Sequence, residues 1–150
     1  MTHAGESLYL TISGAVVGPY DVCPGATKFW AGVASRQVLI RRCEDCGRHS
    51  HPRQDACENC FSAKLTWVEV SGRGRIYSFS TVHRAPRERP TPYCVGLIRL
   101  IEGVYMFGGI EPVDRAAIGA TVSPVFVVKG TQTLLNFRVV EPGERIEQGR

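Results

Sequence analysis

The sequence predicts a mainly β protein in two parts: an N-terminal helix with a small metal-clasped ribbon, then a five-stranded barrel. Three observations carry this prediction. Two Cys-x-x-Cys pairs, Cys43-Glu-Asp-Cys46 and Cys57-Glu-Asn-Cys60, stand ten residues apart, a spacing suited to four sulfurs around one tetrahedral ion. Strand-like runs enter the first pair and leave the second. Beyond Ser71-Gly72 the texture changes to alternating apolar stretches separated by short turns.

Residues 1–25 read as an extension. Alternation through Leu8, Leu10 and Ile12 predicts a short strand, and Gly18-Pro19 and Cys23-Pro24-Gly25 are turn signals. Residues 26–36 predict a short helix capped near Thr27. Phe29, Trp30 and Val33 fall within one turn and form an apolar stripe. Such a stripe usually packs on the body of its own protein. Two adjacent large aromatics on so short a helix also suit an anchor, so Phe29 and Trp30 are candidate partner-binding residues.

Val38 to Arg42 reads as the strand entering the first cysteine pair, and Gly47 just after that pair permits the left-handed backbone a metal knuckle uses. Cys43, Cys46, Cys57 and Cys60 are the candidate ligands, and zinc is the expected ion. Iron in a rubredoxin-like site is a rival that thiolates alone do not exclude. Disulfides are disfavoured, because neighbouring cysteines bridge poorly within a pair and no secretory signal is read. Residues 8–17 alternate like a strand and follow Glu6 and His3, not a basic segment. Four protein sulfurs leave no open position for water or substrate, so the ion is expected to be structural. Arg41, Arg42, Arg48 and Arg53 lie close in sequence and can offset the negative charge of four thiolates. His49 and His51 read as surface or supporting groups, not ligands.

Leu65 to Val70 reads as the strand leaving the second pair. Strand, knuckle, knuckle, strand is the order of a zinc ribbon, whose small core makes metal binding a main source of folding free energy. Barrel strands are predicted at about 74–83, 93–101, 104–110, 121–129 and 133–140, with a hairpin at Glu102-Gly103. Pro112 to Gly119 reads as a helical turn or short helix. Five strands with a helix between the third and fourth is the order of an OB-fold. The expected organisation is therefore an extension (1–25), helix plus ribbon (26–70), OB-fold (71–140) and a polar tail (141–150).

Hydrophobic content of 43% and charged content of 21% are ordinary for a globular protein. The apolar runs are too short to span a bilayer, and a cytoplasmic protein is expected. The net charge of +4 is unevenly spread: residues 73–89 hold five arginines against Glu88 alone. Such a patch favours anionic partners.

Several segments in fixed order now carry a family resemblance. They are Phe29-Trp30 with its helix, Cys43-x-x-Cys46-Gly47, Pro52-Arg53, Cys57-x-x-Cys60, Trp67-Val68-Glu69-Val70-Ser71-Gly72-Arg73-Gly74, Ile76 through His83, Pro92-Tyr93, and Ile118-Gly119-Ala120-Thr121-Val122. Together they resemble the zinc-ribbon plus OB-fold proteins that accompany acyl-CoA enzymes in bacteria and archaea. The resemblance covers about residues 26–140. It implies a non-catalytic subunit beside a thiolase-like enzyme, a side-chain aldolase or an acyl-CoA hydratase. It further implies a structural zinc on the four cysteines and an interface helix around Phe29-Trp30. The chain has room for ribbon and barrel but not for a fused hydratase domain, which favours a separate small subunit.

The remaining chemistry agrees with a non-enzyme. Cys23 and Cys94 lie outside the metal set; Cys94 falls in a predicted strand, and Cys23 has no nearby histidine. His83 is the best lone acid–base candidate, and no paired group is found for it, so a CoA hydrolase ranks last. The 84–92 loop is expected at one rim of the barrel, where Arg84, Arg87 and Arg89 are candidate contacts for CoA phosphates or an acidic partner. Single-stranded nucleic-acid binding is the alternative class, with Tyr105 and Phe107 on one strand face as candidate stacking residues. Core packing explains those two residues equally well, and nucleic acid is the less favoured partner.

Overall fold

The computed structural model describes residues 25–84 and 90–141, and the backbone alone of 10–12, 15–17 and 24. In the N-terminal stretch two short strands, β1 (Leu10–Ile12) and β2 (Ala15–Val17), pair antiparallel, in place of the single strand the alternation predicts. A 3-10 turn over Pro24–Ala26 leads into α1 (Thr27–Ala34). Thr27 is the first helical residue and not the cap; Ala26 holds the cap position without a side-chain bond. The other end is closed well. Gln37 N–H donates to the Gly32 carbonyl at 2.8 Å and Arg36 N–H to Val33 at 3.0 Å, with Arg36 left-handed at φ 61°. A helix of eight residues is too short to persist alone. Burial of Phe29 and Val33 against the rest of the chain holds it in place.

The ribbon is a three-stranded antiparallel sheet in the order β4-β3-β5, from β3 (Val38–Cys43), β4 (His49–Ser50) and β5 (Leu65–Val70). Val38 and Ile40 of β3 are buried on one face. On this sheet the Arg41 guanidinium lies 4.1 Å from the centre of the Trp67 ring. Arg41 therefore stacks on an aromatic neighbour one strand away, a contact that accounts for its place in the arginine run.

The barrel is closed by β6 (Gly74–Val82), β7 (Tyr93–Leu100), β8 (Tyr105–Glu111), β9 (Thr121–Lys129) and β10 (Gln132–Val139), in the order β10-β8-β7-β6-β9. All its pairings are antiparallel except β8 with β10, which run parallel through Phe137↔Ile110 and Arg138↔Glu111. Between β8 and β9 only Val113–Arg115 is helical, as one 3-10 turn.

Ribbon and barrel share a single core. Phe29, Val33, Val38 and Ile40 join Ile76, Ile98, Leu100, Ile110, Val122 and Phe137 in one buried cluster. Each large side chain there contributes roughly 1.5–3 kcal/mol by leaving water. Gly72 sits at the junction with φ 70°. A methyl group on it would lie 2.8 Å from Val38 Cγ2 and 2.9 Å from Pro124 Cγ, so only glycine allows this approach. Among the described residues no helix is long and apolar enough to cross a membrane.

Candidate functional site

The two cysteine pairs adopt the same turn. Gly47 N–H donates to the Cys43 carbonyl and Phe61 N–H to the Cys57 carbonyl, both at 2.9 Å. Cys43 N–H and Cys57 N–H in turn donate to Arg48 and Ser62, again at 2.9 Å. These bonds aim all four sulfurs inward. The four Sγ atoms lie within 4.8 Å of one another, with Cys43–Cys60 at 3.6 Å and Cys46–Cys57 at 3.5 Å. A tetrahedral ion with metal–sulfur bonds near 2.3 Å needs sulfurs about 3.8 Å apart, a separation inside the range this cluster spans, so small adjustments fit it to zinc. Cys43 and Cys57 are buried, Cys46 and Cys60 exposed.

The thiols compete for negative charge. The Arg48 amide beside Cys46 holds that thiol below its ordinary range, against the opposing effect of burial. At Cys60 the Ser62 amide also favours thiolate. It is outweighed by desolvation and by hydrogen bonding to Cys43, Cys46 and Cys57, which push the thiol up to about 12. Such a cluster cannot hold four charges without a cation, which is the chemistry expected of a metal-binding set. The knuckles are also tied to each other outside the sulfurs. Asp45 accepts from Ser62 Oγ at 2.6 Å and pairs with Lys64 at 3.2 Å. The Ser62 bond and then Lys64 hold its carboxyl below the usual range.

Next to the ribbon lies a groove of about 630 Å³ between α1, the His51–Arg53 segment, β8 and β10. Trp30, His51, Arg53, Phe107, Lys129 and Asn136 give it an aromatic and cationic lining. His51 Nδ1 accepts the Arg53 backbone N–H at 3.2 Å. Burial, and then the Arg53 charge, lower the His51 pKa, with Glu58 pulling the other way. The imidazole is thus neutral at pH 7, with its proton on Nε2.

The four cysteines come together as the spacing implied. Phe29 is 6% exposed and belongs to the core, while Trp30 is half-buried, edge-on to Phe29 at 5.0 Å, and lines the groove. Arg84 is exposed just beyond β6; Arg87 and Arg89 lie outside the described residues, as does Cys23. Cys94 is buried, and burial pushes its thiol up against a hydrogen bond from Thr81. Tyr105 and Phe107 are not core residues: they are 41% and 67% exposed. The groove itself was not foreseen. Its walls come from segments about a hundred residues apart, and no local pattern links Arg53 to Lys129.

Two domain models match consecutive stretches of the chain. The ChsH2 rubredoxin-like zinc ribbon domain matches residues 30–66, and the ChsH2 C-terminal OB-fold domain matches 67–127. A DUF35 domain-containing scaffold protein of Methanocaldococcus jannaschii is 35% identical over 104 residues, covering 65% of this chain and 73% of that protein. The chain belongs to the DUF35 family. The 3-oxo-4,17-pregnadiene-20-carboxyl-CoA hydratase alpha subunit of Mycobacterium tuberculosis is 37% identical over 66% of this DUF35 chain and 32% of its own length. BbsA, a benzoylsuccinyl-CoA thiolase subunit of Thauera aromatica, is 34% identical over 47% of this chain and 49% of its own. The DUF35 chain thus spans less than two thirds of both CoA-enzyme subunits. Among solved structures, the Ltp2-ChsH2(DUF35) aldolase superposes with a TM-score of 0.70 at 28% identity, covering 77% of this chain and 94% of that one.

Proposed function

We propose that this chain is a non-catalytic, zinc-binding subunit that docks on and supports a thiolase-like enzyme, a thiolase or side-chain aldolase acting on acyl-CoA thioesters. The observation that carries this reading is the likeness, over 77% of the chain, to the DUF35 component of an aldolase. The similarity to a thiolase subunit and to a scaffold protein of the same family points the same way. Zinc would be held by Cys43, Cys46, Cys57 and Cys60, and once bound it supplies structural cohesion to the knuckles. With every coordination position taken by sulfur, its role is to fix the ribbon and not to activate a substrate. Free thiolate ligands suit a reducing cytoplasmic setting.

Trp30, half-buried against the core and lining the groove, is the member of the aromatic pair that a partner would reach, since Phe29 is buried. Arg53 and Lys129 in the groove, with Arg84 just beyond β6 and Arg87 and Arg89 following it in sequence, are the groups from which a contact to CoA phosphates would be drawn. The test is co-expression with candidate thiolase- and aldolase-type proteins of the same genome, followed by size-exclusion chromatography and native mass spectrometry. A stable hetero-oligomer, with two copies of each subunit, is the expected result. Separate elution of the two proteins, or turnover of an acyl-CoA by this chain alone, would overturn the proposal.

A further inference from the structure

We infer that the outward face of β6, β7 and β8 is a docking surface for an apolar protein patch bordered by carboxylates. This rests on the subunit reading above and assigns the contact to the barrel wall. Strand alternation should leave such a wall polar. Here the register lines up Arg75, Arg99 and Tyr105 in one row across the three strands, and Ser78, Leu97 and Phe107 in the next. The third row is Ser80, Val95 and Gly109. A bulge between Ile76 and Ser78 carries Tyr77, whose ring lies 5.0 Å from Tyr105 at 77°. Tyr77, Tyr105 and Phe107 are 57%, 41% and 67% exposed, and Leu97 and Val95 between the strands are only half-buried. An apolar patch of this continuity on a barrel wall marks an interaction site.

The arginines identify the occupant. Arg75 and Arg99 are direct cross-strand partners, and like charges in that position repel. Arg75 Nη1 donates to the Gly119 carbonyl at 3.1 Å, and among the described residues no carboxylate pairs with either arginine. Arriving carboxylates would relieve the repulsion. A second copy of the chain would not, because a two-fold contact sets this face, whose three rows hold no carboxylate, against itself. A single-stranded nucleic acid fits less well, since Tyr77 and Tyr105 engage each other edge to face, which leaves fewer open ring faces for stacking bases. Phe107 also lines the groove beside Trp30, so the wall and the groove form one continuous surface.

The experiment uses the wild-type complex obtained by co-expression and separately purified subunits for titration. Phe107→Ser and Arg99→Glu are each expected to weaken binding by about tenfold or more. Val128→Ser, an exposed apolar change on β9, serves as the control with unchanged affinity. Hydrogen exchange in β8 should slow on complex formation, and melting temperatures show whether each variant is folded. A wild-type complex in which both variants bind normally and β8 exchange is unchanged sinks this inference and leaves the subunit reading standing. Absence of any wild-type complex removes both. Binding of an oligothymidylate at physiological salt that Phe107→Ser abolishes, or a dimer of the isolated chain that it dissolves, also overturns the assignment.

Discussion

Gly47 and Phe61 occupy the same position in two matching knuckles, with φ of 74° and 59° and identical hydrogen bonds to the first cysteine of each pair. A glycine adopts this backbone freely. A phenylalanine pays about 1–2 kcal/mol for it, and Phe61 recovers little by packing, being 83% exposed. Phe61→Gly is therefore expected to raise stability by about 0.5–1 kcal/mol, after the extra freedom glycine gives the unfolded chain. Gly47→Ala should lower it by about 1 kcal/mol. Denaturant titration of the metal-loaded protein checks both signs.

Metal removal should have a larger effect than any single side chain. Structural zinc sites of this kind contribute on the order of 10 kcal/mol to folding. One zinc per chain is expected by elemental analysis, and Cys46→Ser should yield poorly soluble, metal-poor protein. Folded, soluble protein with neither zinc nor iron would exclude the metal-centre reading.

Gly72 at the ribbon–barrel junction makes a sharp stability probe. Gly72→Ala combines a left-handed backbone with contacts under 3 Å to Val38 and Pro124. A loss of about 2–4 kcal/mol is expected, read as a lower urea midpoint. A wild-type midpoint would mean that ribbon and barrel are not packed as described.

His51 should imprint a pH dependence on stability. Its folded pKa is depressed, chiefly by burial and then by Arg53. The unfolded chain therefore binds a proton first, and stability falls as pH drops through about 6.5 towards the lower folded value. Between pH 7 and 5.5 the melting temperature of His51→Gln should fall less than that of the wild type. Thiolate protonation adds its own acid sensitivity to both proteins, so the difference between them is the quantity to read.

Much of this architecture was legible in the residues. Each barrel strand announces itself by alternation, and the predicted limits lie within two residues of those found. That the four cysteines cluster followed from their spacing. Long-range relations were not legible. The parallel β8–β10 closure has no local signature, and the stripe on α1 could not reveal that Phe29 faces inward while Trp30 borders a groove. The stretch after β8 forms only one 3-10 turn, and Pro112 and Ala116 at its two ends are both extended. Tyr105 and Phe107 were ambiguous for a related reason. Period-two patterning shows that two residues share a face, and only the closed barrel says which face is outside.

The contact between α1 and β10 joins the first described helix to the last strand of the barrel. On a ribosome, the helix emerges roughly a hundred residues before its cover. The ribbon can load its metal early, whereas Phe29 and the β8 edge stay bare until Phe137 and Leu135 clear the exit tunnel. Chain elongation thus leaves a greasy, half-built barrel for several seconds at typical synthesis rates of about 5–20 residues per second. A stop or frameshift removing residues after 130 would make that interval permanent, yielding a ribbon that binds metal yet aggregates through its uncapped helix.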